Sequence, residues 1–320
     1  MQDSLPTVTV IIPTRPDGGE PLALAAARVL DYPRDKMEIL VARGKQPSVQ
    51  RNVALRAARG DIIYFLDDDS VSPPGNLRRA IEHFRESMVQ IVGGPNLCPP
   101  EAPELEQVFA LVLASQVAFG PSRARYTPVG AVRDTGEKEL ILCNQLARRE
   151  TMLKFGGFNE ALYPNEENAL MDDIQRSGGR LLYDPELFVY RRPRRTLKAF
   201  AKMLRTYGRG RSEQFRVNPT PGSVLNFVPP ALLLYLLALP FLIYFWGWIA
   251  AVLLAAYGVV VFLQVLALMP RGGVVRSFFA APLIVLTHIL YGFGFLHGLF
   301  TNLKKPPAQK PESVVIEKIG

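Results

Sequence analysis

The sequence is poor in the residues that staple or ligate. Among its 320 residues there are two cysteines, Cys98 and Cys143, and three histidines. No CxxC pair or metal-type cysteine spacing occurs, which excludes a zinc ribbon or a disulfide scaffold. Two isolated thiols read as small buried hydrophobes in a reducing compartment. The N-terminus lacks an apolar leader: Met1–Pro6 is short and polar, so the first domain is expected to stay in the cytoplasm. Acids are scarce in one place only. Residues 191–216 hold ten Lys/Arg against the single acid Glu213, a local +9 within a chain whose total is +8. The remainder is therefore close to neutral, and the high pI reports a patch. A protein built to bind nucleic acid over its whole surface is excluded by that distribution.

What is present alternates. Thr7–Thr14 (TVTVIIPT), Glu38–Ala42, Asp61–Leu66 and Gln90–Gly94 are β-branched or apolar runs that predict buried strands. Between them, Glu20–Leu30, a stretch opened by Pro47 and stopped by Gly60, and Asn76–Ser87 predict helices. Strands alternating with helices give an α/β domain with a mostly parallel, Rossmann-like sheet. Ligands of such sheets bind beyond the carboxyl ends of the strands, and the third strand runs there into Asp67-Asp68-Asp69. Three adjacent carboxylates repel one another unless a cation or hydrogen-bond donors offset them. Their hard oxygens suit Mg²⁺ or Mn²⁺, which would bridge nucleotide phosphates, so Asp67 and Asp69 are candidate metal ligands. A solvated acidic turn is the alternative. Asn165-Glu166-Glu167-Asn168 is a second acidic cluster. It could supply a general base, or it could simply start a helix, with Asn165 as cap.

The last third of the chain is different. Residues 228–247, 249–269 and 279–300 contain no Asp, Glu, Lys or Arg. Each is as long as a spanning helix requires, about 20 residues. Before them, Leu197, Phe200, Ala201, Leu204 and Tyr207 recur at helical spacing beside Lys198, Lys202, Arg205 and Arg209. A basic amphipathic helix next to apolar spans predicts an interfacial helix on anionic lipid. The division expected along the chain is a catalytic domain over 1–190, a basic interfacial region over 191–222, about three transmembrane helices over 223–303, and a polar tail over 304–320. Three crossings from a cytoplasmic domain place that tail outside, although it carries Lys304, Lys305, Lys310 and Lys318; the alternative is that one segment is re-entrant.

An ordered set of motifs resembles family 2 glycosyltransferases of the GT-A (nucleotide-diphospho-sugar transferase) fold. The set comprises VIIPT ending the first strand, QRN at 50–52, RAARGDIIYFLDDDS at 56–70, RRE at 148–150, GGFNEAL at 156–162, Glu166-Glu167, YRRPRRTLKAF at 190–200 and YGRGR at 207–211. The layout with C-terminal spans is similar to membrane-bound, succinoglycan-type exopolysaccharide glycosyltransferases. The resemblance implies an inverting transfer of sugar from a nucleotide-sugar, a UDP-sugar ahead of a GDP-sugar, to a saccharide or lipid-linked acceptor during polysaccharide synthesis. The setting it implies is a multi-pass inner-membrane protein with a cytoplasmic catalytic domain. It implies donor contacts from Pro13, Thr14, Arg51, Asp61 and Asp67, with Asp69 and Asp67 holding a divalent metal. Glu167, or its neighbour Glu166, would be the catalytic base, and Arg209 and Arg211 would neutralise the leaving diphosphate. The second strand ends Ala42-Arg43-Gly44 where the family carries an aspartate-rich turn, a reversal of charge near the base. Two other functions fit the same residues: a polyprenyl-phosphate glycosyltransferase, and a non-catalytic membrane component on a retained scaffold.

Overall fold

The protein is described from a computed structural model, over residues 5–161, 165–217, 219, 221–303 and 313–319. The chain divides into two compact units. Unit 1 comprises residues 1–99, 124–191 and 304–320, and unit 2 comprises 100–123 and 192–303.

Unit 1 is built on a sheet. Its opening elements are β1 (Val8–Thr14), α1 (Leu22–Arg28), β2 (Met37–Arg43), α2 (Pro47–Ala57), β3 (Ile62–Leu66), α3 (Asn76–His83) and β4 (Val89–Gly93). After a two-residue strand β5 (Asn96–Leu97) and a detour into unit 2 come further elements. These are β6 (Arg133–Thr135), β7 (Asn144–Arg148), α6 (Arg149–Lys154), α7 (Glu166–Arg176), β8 (Arg180–Tyr183) and β9 (Val189–Tyr190). The last described residues form β10 (Val315–Ile319). The eight-stranded sheet has the order β10-β2-β1-β3-β7-β4-β8-β6, and β5 pairs with β9 separately. β1 is parallel to β2 and β3, and β4 to β8, while β7, β6 and β10 run against their neighbours. The sheet is thus mixed, with its parallel core at β2-β1-β3, as expected for the first half of the domain.

Both faces are covered, which is why the strands read as continuous apolar runs. Val10, Ile12, Tyr64 and Leu66 join the core under α1 and α3. Ile11, Leu40, Ile63 and Phe65 join the other, with residues of α2, α6 and α7. Gly60 closes the turn into β3 because nothing larger fits: a Cβ there would lie 2.4 Å from the Thr9 amide nitrogen.

The tail requires a correction. Three spans would leave it outside as a polar extension, but Val315–Ile319 hydrogen-bonds antiparallel along β2, Val315 opposite Arg43 and Ile319 opposite Ile39. Arg43 pairs with Glu317 at 2.6 Å and Lys318 with Glu38 at 2.8 Å. Lys318 is explained by this return, since a strand laid on a sheet edge needs charges on its outer row; Lys304, Lys305 and Lys310 lie outside the described residues. Truncation before Ser313 is expected to strip the edge of β2 and cost about 2 kcal/mol of burial, read as a lowered melting temperature and concentration-dependent aggregation. An unchanged melting temperature would show that the strand is dispensable.

Unit 2 contains α4 (Glu104–Leu113), α5 (Gln116–Phe119), α8 (Leu197–Val217), α9 (Val228–Trp246) and α10 (Val252–Phe300). α10 breaks at Gly273, which adopts φ 73°. Three helical segments therefore exist where three apolar runs predicted them. From Gly222 to Phe300 the chain is apolar enough to cross a membrane, with a mean hydropathy of 2.5 in its best window. α8 is not a simple surface helix. Phe200, Met203 and Leu204 are buried, Phe200 stacks on Phe109 at 4.3 Å between ring centroids, and Lys198, Lys202, Arg205 and Arg216 stay exposed.

Candidate active site

The site lies in unit 1 at the carboxyl ends of β1, β2 and β3. β1 ends at Thr14, β2 at Arg43, and β3 passes into Asp67-Asp68-Asp69. The Thr14 hydroxyl donates to Asp68 at 3.3 Å. Burial, then the charges of Asp69 and Asp67, raise the Asp68 carboxyl above its ordinary value.

Helix α2 assembles this end of the sheet through three consecutive side chains, all buried. Gln50 donates from Nε2 to the Thr14 carbonyl at 2.7 Å and the Ala42 carbonyl at 2.6 Å, which ties the ends of β1 and β2 together. Arg51 reaches Asp67 at 2.6 Å and Glu166 at 3.5 Å. Asn52 donates to the Phe158 carbonyl at 2.8 Å and to Glu160 at 2.9 Å, and accepts from the Phe158 amide at 2.8 Å. The turn before Phe158 must be glycine: Gly157 has φ 78° and a Cβ there would sit 2.4 Å from Asn52 Oδ1. The QRN and GGFNEAL motifs are thus halves of one contact. Leu162, the end of the second motif, lies outside the described residues.

Arg191 completes the cluster, and the sequence reading missed it. It follows β9, is held by its amide to the Leu97 carbonyl at 2.9 Å, and lies beside Tyr190, whose backbone pairs with Val71 just beyond the aspartates. Its guanidinium reaches Asp69 at 2.6 Å and Asp67 at 3.1 Å. Counted by sequence, Arg191 is the first of ten cations in a stretch assigned to lipid; only the strand pairing singles it out. The resulting chain of charges is Glu166–Arg51–Asp67–Arg191–Asp69, alternating in sign.

Glu166 and Glu167 open α7. Asn165 precedes them without a side-chain cap; its Oδ1 instead accepts from Asn168 at 2.9 Å. Glu166 is 2% exposed, and burial, with the charge of Glu167 next, raises its carboxyl to about 7 against the pull of Arg51. Glu167 is half-buried. Because the folded protein holds a proton on Glu166 that the unfolded chain releases, stability falls as pH rises from the ordinary glutamate range to about 7. The slope is on the order of 1 kcal/mol per pH unit. Thermal melts across that window should show it for the wild type and lose it in Glu166→Gln; identical slopes would place the titration elsewhere.

One predicted donor contact stands apart from this cluster. Asp61 is at the opposite end of β3, where its carboxylate accepts from the Thr7 amide at 3.0 Å and the Thr7 hydroxyl at 2.7 Å. The strand direction explains the correction: Asp61 precedes β3 and Asp67 follows it. Arg209 and Arg211 belong to unit 2, on α8, where they meet Glu213 at 3.3 Å and Gln214 at 3.0 Å. Arg43, the charge reversal at the end of β2, bonds Glu317 and the Gly18 carbonyl at 2.7 Å. Its charge is engaged in holding the tail strand and the loop after β1.

Among the described residues no group of three or more His, Cys, Asp or Glu side chains forms a metal cage. That does not disqualify the aspartates, since Mg²⁺ and similar ions are commonly held by one or two carboxylates together with substrate phosphates. The donor chemistry of Asp67 and Asp69 fits such an ion, and Arg191 supplies positive charge between the same two carboxylates.

Residues 38–105, from β2 through the aspartates to the start of α4, match the model of Glycosyl transferase family 2. Comparison with curated proteins yields no match. Among solved structures, the chain is similar to the mannosyltransferase PcManGT from Pyrobaculum calidifontis, a complex with GDP-Man and Mn²⁺. Identity is 19%, coverage is 88% of this chain and 87% of that one, and the TM-score is 0.56. TarS of S. aureus matches with 14% identity over 72% of this chain and 43% of that one, at a TM-score of 0.43. The family 2 segment and the fold support a glycosyltransferase enzyme. The chain thus has a GT-A-like α/β fold, within which residues 38–105 match the Glycosyl transferase family 2 model.

Proposed function

We propose that the protein is an inverting glycosyltransferase. It moves a sugar from a nucleotide-sugar to a hydroxyl of a lipid-linked or growing saccharide in cell-surface polysaccharide synthesis. The observation that carries this reading is the meeting of Asp67, Asp69 and the Glu166-Glu167 pair at the carboxyl ends of the parallel strands, joined through Arg51. Pro13 and Thr14, at the end of β1, border the place for the nucleoside. Asp67 and Asp69 would hold a divalent ion, Mg²⁺ or Mn²⁺. When bound, that ion supplies charge neutralisation for the diphosphate. Arg191 and Arg51, already among the carboxylates, orient them and add positive charge beside the leaving group.

Glu167 is the better placed base. It is partly exposed, whereas Glu166 is enclosed and engaged with Arg51. In a single displacement the acceptor oxygen bonds to the anomeric carbon as the bond to the diphosphate breaks, and Glu167 takes the hydroxyl proton. Glu167→Gln should then lower kcat by about 10²–10⁴-fold with donor binding intact, while Glu166→Gln changes mainly the pH dependence. Radiolabelled donor panels, with UDP- and GDP-sugars side by side, test both substitutions. A nearly silent Glu167→Gln would point to a phosphate acceptor, which needs no base. Calorimetry showing no metal-dependent binding of any nucleotide-sugar would leave only the non-catalytic scaffold.

The apolar segments support anchorage in the inner membrane as a multi-pass protein, and the polybasic residues 191–216 support a cytoplasmic face for the catalytic unit.

A further inference from the structure

We propose that the helical unit crosses the bilayer twice, through α9 and the first half of α10, and that the third apolar segment stays on the side of the catalytic unit. This rests on the membrane reading above and fixes how the chain uses it.

Parity is the first argument. The chain leaves unit 1 after Arg191 and is back in it by Val315, where β10 is hydrogen-bonded to β2 along five residues. A strand cannot pair through a bilayer. The path between those points therefore crosses an even number of times, although it contains three apolar segments.

Two of the segments form a hairpin of spanning length. α9 has 19 residues, and α10 runs 21 residues, by numbering, from Val252 to its break before Gly273. At 1.5 Å per residue each is about 30 Å long, the thickness of a hydrocarbon core. Their junction turns at Gly247, φ 63°. Around it Tyr244, Phe245, Trp246 and Trp248 are 67–83% exposed, a cluster of aromatics of the kind that settles at a membrane–water interface. Along the legs, Leu234, Leu237, Val259, Phe262 and Leu263 are exposed as well.

The third segment, Val274–Phe300, is contacted at several points along its length by elements that carry charge, although Val275, Phe278, Phe279 and Phe300 stay exposed. Arg276 forms a bidentate pair with Glu104 at 2.6 and 2.7 Å. His288 bonds the Val117 carbonyl at 2.9 Å. Both partners belong to the short stretch 100–123, which leaves and rejoins unit 1 and carries Glu101, Glu104 and Glu106. Farther on, α8 lies against the segment so closely that a Cβ at Gly294 would be 2.2 Å from the Arg205 carbonyl, and one at Gly298 2.7 Å from that of Arg209. Arg216 donates to the Gly298 carbonyl at 3.1 Å. A crossing here would carry Arg205, level with Gly294, into hydrocarbon, where a cation costs up to about 2.5–3.5 kcal/mol at the centre, with Arg209 and Arg216 following at its edge.

The test is sidedness in sealed vesicles of both orientations, using the full-length protein in a Cys98→Ser background; Cys143 is buried and silent. Single cysteines replace the exposed Trp248, Arg271 and Asn302, and an impermeant maleimide reports each. The expected result is that Arg271→Cys and Asn302→Cys react from the face of the catalytic unit and Trp248→Cys from the opposite face only. Asn302→Cys reacting together with Trp248→Cys means three crossings and overturns the proposal. Trp248→Cys reacting from the catalytic face, or from neither, means no crossing and also overturns it. Release of the wild type by alkaline carbonate would instead bring down the membrane reading itself, and the proposal with it. Labelling is independent of sugar transfer, so none of these outcomes bears on the enzymatic assignment.

Discussion

Asp69→Asn is expected to transfer sugar about 10²–10³-fold more slowly than the wild type while remaining folded, a loss of the size seen when one charge-stabilising group is removed from a transition state. The substitution keeps the shape of the side chain and removes its charge. Asp69 is 44% exposed on its side chain and its partner Arg191 keeps a second contact at Asp67, so little stability depends on it. What is lost is one of two carboxylates able to hold a cation on the diphosphate. The loss should shrink as Mn²⁺ is raised, because a weakened site can still be filled by mass action. Initial rates across a metal series measure this. Wild-type transfer by the variant at limiting metal would remove Asp69 from the reaction. The companion Arg191→Ala separates the cation's role from the guanidinium's: it should tighten metal binding, having removed a competing positive charge, and still slow transfer.

Arg51→Ala is the substitution expected to damage the fold. Arg51 and Glu166 are 7% and 2% exposed on their side chains, and Arg51 also fixes Asp67. Removing one partner of a buried pair leaves the other without compensation, a cost of about 3–5 kcal/mol. For a unit of this size that is a fall in melting temperature on the order of 10 °C. The sign of the pH effect is diagnostic. Burial already lifts the Glu166 carboxyl to about 7, and Arg51 is what holds it down. Without Arg51 the carboxyl rises further, so the variant can keep Glu166 neutral at pH 5 but less so at pH 8. The difference from wild type should therefore be smaller at pH 5 than at pH 8. Equal losses at both would mean that lost packing dominates. Arg51→Lys should not rescue, since a single ammonium cannot present the planar fork that meets Asp67 and Glu166 together.

Much of unit 1 was legible because its signals are local. The runs VTVIIPT and IIYFL, buried at every position, could only be strands covered on both faces. Pro47 opened α2, and the chain needed a residue without a side chain at Gly60. The acidic triplet followed a buried strand, so its place at a carboxyl end needed no coordinates. Glu166 and Glu167 were visible as a pair, but their separation into an enclosed partner of Arg51 and a half-buried base candidate was not. Asn165 holds the N-cap position and Glu166 and Glu167 fill the first turn, as expected, but its side chain is taken by Asn168 and caps no backbone amide. Asp61 was misplaced because a motif lists residues in order without saying which end of a strand each occupies.

By itself, then, the sequence determined the first four strands and the helices between them, the carboxylates at the end of β3 and the three uncharged helical segments, since each depends on residues within one or two turns or strands of each other. Tertiary structure alone decided which cation meets those carboxylates and where the tail lies. Arg191 meets Asp69 across 122 positions and Glu317 meets Arg43 across 274. Pairings of that separation are set by sheet order and by the path the chain takes between units. No period or spacing in the sequence encodes them. Sheet order also underlies the proposal of two crossings, because a strand returned to β2 must return on the same side.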